Sequence, residues 1–321
     1  MLRVLVTGAS SMLGRAVVEG LVQRGDDVTC FQRRPSASQG KDVLGDIRDA
    51  DAIASASQGC EAIIHLAALV APRPRWRDAY DVNVGGTTKV LDAARDCGRL
   101  VYISTPSVAF DDKPSVGSAA EVARYEGPDA YARSKAMAEV EVLSRRDLAC
   151  VILRPHLVWG PGDTQLVGRI ISRARQGRLV LPDHGRVLLD TTYIDDAASA
   201  IIAGLDRSDD APQTWGRPWV VTGNDPRPLA ELVAGILAAA KISRLPRSLP
   251  APVVERIGWV LGRCWPTDEP PLTQFAARQL SVAHWFDQRD TQRALRWQPM
   301  VSVDEGIRRL STWFQEHDLS T

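Results

Sequence analysis

The sequence predicts an α/β protein, a doubly wound parallel sheet followed by a smaller C-terminal substrate-binding region. Three observations predict it. Short apolar, β-branched runs alternate with longer helical patterns through the first half, as consecutive βαβ units require. A glycine-bearing turn follows the first run directly. After Arg154-Pro155 the alternation breaks into segments punctuated by glycine and proline, as in Trp159–Gly162 and at Pro212, Pro218, Pro226 and Pro228.

Taken in order, the strands read as Leu2–Thr7, Asp27–Gln32, Asp42–Leu44, Ala62–Leu66, Arg99–Ser104 and Ala149–Arg154. Helical patterns fill Met12–Gln23, Arg77–Asp96 and Asp129–Ser144. The punctuated second half is expected to form loops and short elements over the carboxyl ends of the strands, where open α/β sheets bind ligands. One piece is expected back in the sheet, because the apolar run Trp219–Thr222 follows the helical run Asp195–Leu205. Residues 1–158 are therefore read as the nucleotide-binding domain with 187–222 returning to it, and 159–186 with 223–321 as the substrate-binding region.

Composition narrows the class. The chain has 321 residues, 45% of them hydrophobic, enough for a large core. Lys+Arg and Asp+Glu both total 39, so no global field draws it to nucleic acid or to an anionic membrane. The five cysteines are scattered and lack the close pairs of a zinc or redox motif, so they read as reduced core residues. No apolar stretch reaches spanning length, and the N-terminus enters a β-type run at Leu2 without a signal-peptide pattern, so the cytoplasm is the expected compartment.

The turn Thr7-Gly8-Ala9-Ser10-Ser11-Met12-Leu13-Gly14 joins the first strand to the first helix, the context of a Rossmann-type dinucleotide site. Gly8 suits the tight turn, Gly14 the close helix–strand packing, and the helix N-terminus the pyrophosphate. Ser11 replaces the middle glycine, and its hydroxyl is expected to donate to the phosphate. A free ribose 2′-hydroxyl is usually held by an acid at the end of the second strand. Here Gln32-Arg33-Arg34 offers two guanidinium groups instead, which favours NADP(H) over NAD(H) by charge. Asp46-Ile47 is expected to flank the adenine.

Tyr131 and Lys135 lie four apart in a helical pattern and so share a face, and the strand Val101–Thr105 ends in hydroxyl residues at the sheet's carboxyl edge. Thr105 and Tyr131 could converge on one substrate oxygen. Together with TGASSMLG, GDIRD, IIHLAAL, NVGGT, YISTPSV, YARSK, LRPHLVWGPGD, YIDD and the C-terminal HWFDQRDTQRALRWQPMVSVDEGI, these residues resemble the extended short-chain dehydrogenases/reductases, and most the 3β-hydroxysteroid dehydrogenase/isomerase family. Within it the 2-alkyl-3-oxoalkanoate reductases of long-chain olefin biosynthesis are most similar. The resemblance implies a catalytic set of Thr105, Tyr131, Lys135 and Asn83, the last orienting a helix kink and a water near the lysine. It implies cofactor contacts from Gly8, Ser10, Ser11, Met12, Leu13, Gly14, Ala67, Ala68, Tyr131, Lys135, Pro155, His156 and Leu157. Ser107 and Trp159 are further substrate candidates, Trp159 as a change of pocket shape where many relatives carry tyrosine, while Arg73 and Arg75 in the loop after the fourth strand read as solvent-facing arginines or, alternatively, as a carboxylate clamp.

Other residues point to no further chemistry. His65 and His156 lack a second ligand at metal spacing, so no metal is expected. Asp195-Asp196 is expected to cap the helix that follows. The segment Pro252–Trp265 carries Val253, Ile257, Val260, Leu261 and Cys264 at helical spacing, which leaves a core helix, a lid over an apolar substrate or a membrane-surface helix open, the lid being the favoured functional role. The expected function is interconversion of a 3-oxo and a 3-hydroxy group on a small but bulky apolar substrate. A sugar-nucleotide epimerase or dehydratase of the same fold is the alternative, and a non-catalytic NADP-binding regulator a third class. Peripheral membrane contact is compatible with the sequence, and a homodimer is suggested by fold analogy alone.

Overall fold

In the computed structural model, which describes residues 1–120, 123–124, 129–267 and 270–317, seven parallel strands form one sheet. They are β1 (Arg3–Thr7), β2 (Asp27–Gln32), β3 (Lys41–Leu44), β4 (Ala62–His65), β5 (Arg99–Ile103), β6 (Ala149–Pro155) and β7 (Pro218–Val221). Their spatial order is β7-β6-β5-β4-β1-β2-β3. The order reverses at β1, and β4 lies against it in the register Val4↔Ala62 to Thr7↔His65, which places the ligand crevice at the carboxyl ends of these two strands.

The two-residue period of a strand divides the core. Val4, Val6, Ile64, Val101, Val151 and Leu153 pack on one face with Val17, Leu21, Ile201 and Leu205. Their chain neighbours Leu5, Ile63, Leu100, Tyr102 and Ile152 pack on the other with Ile53, Val90, Leu91 and Val142. The covering helices are α1 (Met12–Gln23), α2 (Ala50–Ser57), α3 (Thr87–Cys97) and α4 (Ala130–Ser144). The helix predicted over Arg77–Asp96 is not one regular helix. Trp76–Ala79 runs into a π-helical stretch, Tyr80–Gly86, before α3 begins. Asn83 spends its side chain on Leu69 and Ser134, and the Thr87 hydroxyl donates to Asn83 O at 2.6 Å, so the widened turn is held from outside the helix.

The second half holds more regular structure than its punctuation suggests. Helices α5 (Val167–Arg175), α6 (Ile194–Asp210), α7 (Leu229–Ala239), α8 (Ala251–Cys264), α9 (Arg289–Leu295) and α10 (Val303–Glu316) follow in turn. Helices α5, α7 and α10 build a separate core around Trp159, Ile171, Leu232, Ile236 and Leu310. Strand β7 returns to the sheet, paired with β6 in the register Pro218↔Ile152 to Val221↔Pro155. The C-terminal segment returns as well: Leu295 and Trp297 join the core of the seven-stranded sheet, and Thr291 Oγ1 donates to Val220 O at 2.9 Å.

One expectation needs correction here, and one open choice is narrowed. Asp195 and Asp196 lie in the first turn of α6 but do not cap it. Asp196 accepts from the backbone of Met300 and Val301, and Asp195 meets Arg309 at 2.9 Å, so the acids tie the C-terminal segment down. Helix α8 buries only Val254 and Gly258, the latter close against Thr273 O, while Val253, Ile257, Trp259 and Val260 face solvent. Its apolar stripe is therefore not part of the core. Among the described residues no helix is long and apolar enough to cross a membrane.

Candidate active site

One cleft of about 650 Å³ runs along the carboxyl edge of β1, β2, β4 and β5, within the usual range for a cofactor site. Its floor is the turn after β1. Gly8 has φ +75°, and a Cβ there would stand 2.8 Å from Ala67 N. A Cβ on Gly14 would stand 2.3 Å from Gly8 O. Both glycines are thus required for backbone to meet backbone, the cradle that a pyrophosphate needs at a helix N-terminus. Ser11 departs from expectation: its hydroxyl donates to Gly8 O and accepts from Gly14 N, both at 2.9 Å. It caps α1 and closes the turn on itself, so its proton is not offered to a phosphate.

Gly8, Ser10, Ser11, Leu13, Arg33, Arg34, Asp46, Ile47, Ala67, Ala68 and Pro155 line this cleft with Thr105, Tyr131 and Lys135. Met12, Gly14, His156 and Leu157 do not. Gly14 is buried behind the turn, and His156 turns its ring away to a second cavity. The cleft also takes Phe31, Leu69, Val70 and Val82, which no motif marked, since apolar loop residues carry no sequence signal of their own.

At the end of β2 Arg33 and Arg34 are exposed on the cleft wall. The nearby carboxylates are already engaged. Asp42 accepts from the Ser36 hydroxyl at 2.6 Å and from Gln32 Nε2 at 2.7 Å, locking the loop from below. Asp46 pairs with Arg48 at 2.7 Å, and that hydrogen-bonded guanidinium pulls its carboxyl down to about 2.

The opposite wall carries Thr105, Tyr131 and Lys135. Asp129 caps α4 by accepting from Ala132 N at 2.7 Å, which aims the first turn and Tyr131 into the cleft. Burial raises the Tyr131 phenol above its ordinary value, the Asp129 charge adds to this, and a hydrogen bond with Thr105 opposes both. One turn on, Lys135 Nζ donates to Ile103 O at 2.6 Å and sits 4.2 Å from the centre of the Tyr102 ring. Burial pulls the ammonium down to about 7, while the charge of Glu139 holds it up. Asn83 does not face the cleft, and it acts on the helix instead, donating to Ser134 Oγ at 2.9 Å. The arrangement brings a hydroxyl, a phenol and an ammonium to one wall and a phosphate cradle to the floor, a set suited to proton transfer beside a nucleotide.

Of the substrate residues expected from the sequence, two are elsewhere. Arg73 reaches away from the cleft and donates to Gly262 O at 2.7 Å and to Thr267 O at 3.0 Å, at the end of α8. Trp159 is 1% exposed, donates to Thr191 Oγ1 at 2.9 Å and packs edge-on against Tyr193, so it is core. Ser107 lines the second cavity, beside the cleft. His65 bridges Thr7 Oγ1 and Thr87 Oγ1, and burial drives its ring down to about 3, which suits a neutral structural link between β1, β4 and α3.

Comparison with known proteins agrees with this architecture. The family described as NAD dependent epimerase/dehydratase matches residues 4–220. A 2-alkyl-3-oxoalkanoate reductase of Stenotrophomonas maltophilia is 39% identical over 325 residues, covering 96% of this chain and 98% of that protein. A protein of the same name from Shewanella oneidensis is 33% identical, covering 95% and 84%. Among solved structures, a short-chain dehydrogenase/reductase superfamily protein from Agrobacterium tumefaciens with bound NAD superposes with a TM-score of 0.77 at 22% identity, covering 98% of this chain and 97% of the other. A UDP-glucuronic acid 4-epimerase from Bacillus cereus in complex with NAD gives 0.76 at 18% identity, with 98% and 99% covered. At that identity the structural likeness speaks for the fold.

Proposed function

The chain belongs to the NAD dependent epimerase/dehydratase family and is an NAD(P)-dependent oxidoreductase of the short-chain type, and from that premise we propose that it interconverts a 3-oxo and a 3-hydroxy group on a bulky apolar acid with NADP(H). The observation that carries the reading is the wall of Thr105, Tyr131 and Lys135 facing the same cleft as the glycine turn. The two reductases cited above, similar over nearly the whole chain, support the substrate class.

The residues act by charge and position. Gly8, Gly14 and the start of α1 would hold the pyrophosphate, and Arg33 and Arg34 would meet a 2′-phosphate, since Asp42 and Asp46 are engaged with Ser36, Gln32 and Arg48. When bound, the nicotinamide supplies or accepts the hydride. Thr105 holds the substrate oxygen by hydrogen bond while Tyr131 gives it a proton in reduction and takes one in oxidation. Lys135, one helical turn away, lowers the cost of the phenolate that proton loss leaves behind, and Asn83 keeps the neighbouring helix in the widened turn that bonds Ser134.

The test is a spectrophotometric screen of 2-alkyl-3-hydroxy acids with NADP+ and NAD+. Sustained cofactor reduction, faster with NADP+, is the expected result. Product isomerisation without net cofactor reduction would instead make the enzyme an epimerase, and a strong preference for NAD+ would overturn the role of the two arginines.

A further inference from the structure

Beside the wall that bears Thr105 lies a second cavity of about 170 Å³. Thr105 and Pro155 face the cofactor cleft, whereas their chain neighbours Ser107 and His156 face this cavity, so the two spaces share one wall. Ser107 N donates to Thr105 Oγ1 at 3.3 Å, which keeps the cavity within a few bond lengths of the oxygen expected to hold the substrate carbonyl.

The cavity contains a pair of buried imidazoles whose protons can be counted. His156 Nδ1 lies 2.5 Å from Asp190 O, and His284 Nε2 lies 2.7 Å from Gln279 O. A carbonyl oxygen only accepts, so each of these nitrogens carries a proton. The remaining nitrogens, His156 Nε2 and His284 Nδ1, are 3.0 Å apart. With both rings neutral, two lone pairs would face each other there. A third proton shared across this contact would make one ring an imidazolium and give the pair one positive charge, which burial opposes until an anion is present.

Among the described residues no carboxylate pairs with either imidazole. Arg154 is matched by Glu139, and Lys113 stands 3.9 Å from Asp111. Asp190 meets His156 through its backbone, while its carboxylate accepts from Thr222 Oγ1 at 2.6 Å and is not part of the wall. Two donors are free to serve a ligand. Ser107 Oγ accepts from Gln279 Nε2 at 3.1 Å, which leaves the serine proton and the second amide proton of Gln279 with no acceptor among the described residues. An imidazolium and two donors fit an anion, and the volume admits a carboxylate with a few carbons rather than a long chain.

We propose that this cavity is the carboxylate subsite of the substrate, with Ser107 and Gln279 donating to its oxygens and the shared proton of His156 and His284 supplying the opposite charge. The inference rests on the 3-oxo/3-hydroxy acid reading above. Burial pushes both imidazoles below their ordinary range, so a carboxylate in the cavity and the third proton stabilise each other. Preference for an acid over its neutral ester must then fall as the pH rises and the pair loses that proton.

The experiment compares oxidation of a 2-alkyl-3-hydroxy acid and its methyl ester by the full chain with NADP+, between about pH 6 and about pH 8.5. The acid-to-ester ratio of kcat/KM is expected to fall by about tenfold across this range, the worth of one charge-assisted contact. Ser107→Ala and His284→Gln should each lower the ratio at the acidic end. If His284→Gln fails to fold, the wild-type pH series and Ser107→Ala still decide. A ratio near one that ignores both pH and Ser107→Ala would overturn the subsite and leave the oxidoreductase reading intact. No turnover of either compound would overturn that reading and this one with it.

Discussion

Replacing Glu139 by Gln removes the opposite charge from a buried guanidinium. Glu139 and Arg154 have side chains 0% and 1% exposed and are joined by two hydrogen bonds, one of them Arg154 Nε to Glu139 Oε2 at 2.9 Å. Breaking such a pair from one side costs about 3–5 kcal/mol, because the remaining ion keeps its desolvation and loses the opposite charge of Glu139. For 321 residues the unfolding entropy is about 0.7 kcal/mol/K, so Glu139→Gln should lower Tm by about 4–8 °C. Arg154→Met should be destabilising as well, since it removes the guanidinium that Glu139 accepts from in the buried pair. The double variant should return to within about 1–2 kcal/mol of wild type. Calorimetry on the four proteins closes the cycle. A double variant as unstable as the sum of the singles would refute the argument. The same substitution has a catalytic reading. Burial already pulls Lys135 down to about 7 against the Glu139 charge. Without that charge the ammonium is lost at lower pH, and the alkaline limb of the rate profile should move down.

Three further outcomes are expected. Tyr131→Phe should lower kcat by at least about 10²-fold, the usual worth of a positioned acid, with cofactor Kd nearly unchanged by fluorescence titration; equal turnover would remove the phenol from the mechanism. Arg33→Ala with Arg34→Ala should weaken NADPH binding by about 1.5–3 kcal/mol for each charge-assisted bond lost and leave NADH binding little changed; a parallel loss for both cofactors would contradict the 2′-phosphate role. Val253→Asp with Ile257→Asp should shift stability by less than about 1 kcal/mol, because both side chains stand at the surface of α8; unfolding of this variant would show that the stripe is packed.

The sheet was legible because its strands are buried on both faces, so Val4–Val6, Ala62–Ile64 and Val151–Leu153 read as unbroken apolar runs between turn residues. The glycine turn was legible for a different reason: Gly8 and Gly14 answer to contacts of 2.8 and 2.3 Å that no other residue survives. In the second half α6 and α8 were legible as helical runs, whereas α7 and α10 pack in one core and draw on that contact rather than on local pattern. Arg73 illustrates the limit at single residues. A loop arginine near a cleft has the same local sequence whether it meets a ligand or, as here, the carbonyls of Gly262 and Thr267 nearly two hundred positions away.

By itself the sequence determined the layered sheet, the glycine turn and the spacing of Tyr131 and Lys135, because each depends on neighbours within a few residues along the chain. Only the tertiary structure decided that Trp159 is core, that Ser11 closes its own turn, and that His156 meets His284 across 128 positions at 3.0 Å. The physical reason is that local periodicity selects an element and its buried face, whereas the partner of a polar side chain is chosen by whichever donors and acceptors the folded chain brings within hydrogen-bond reach.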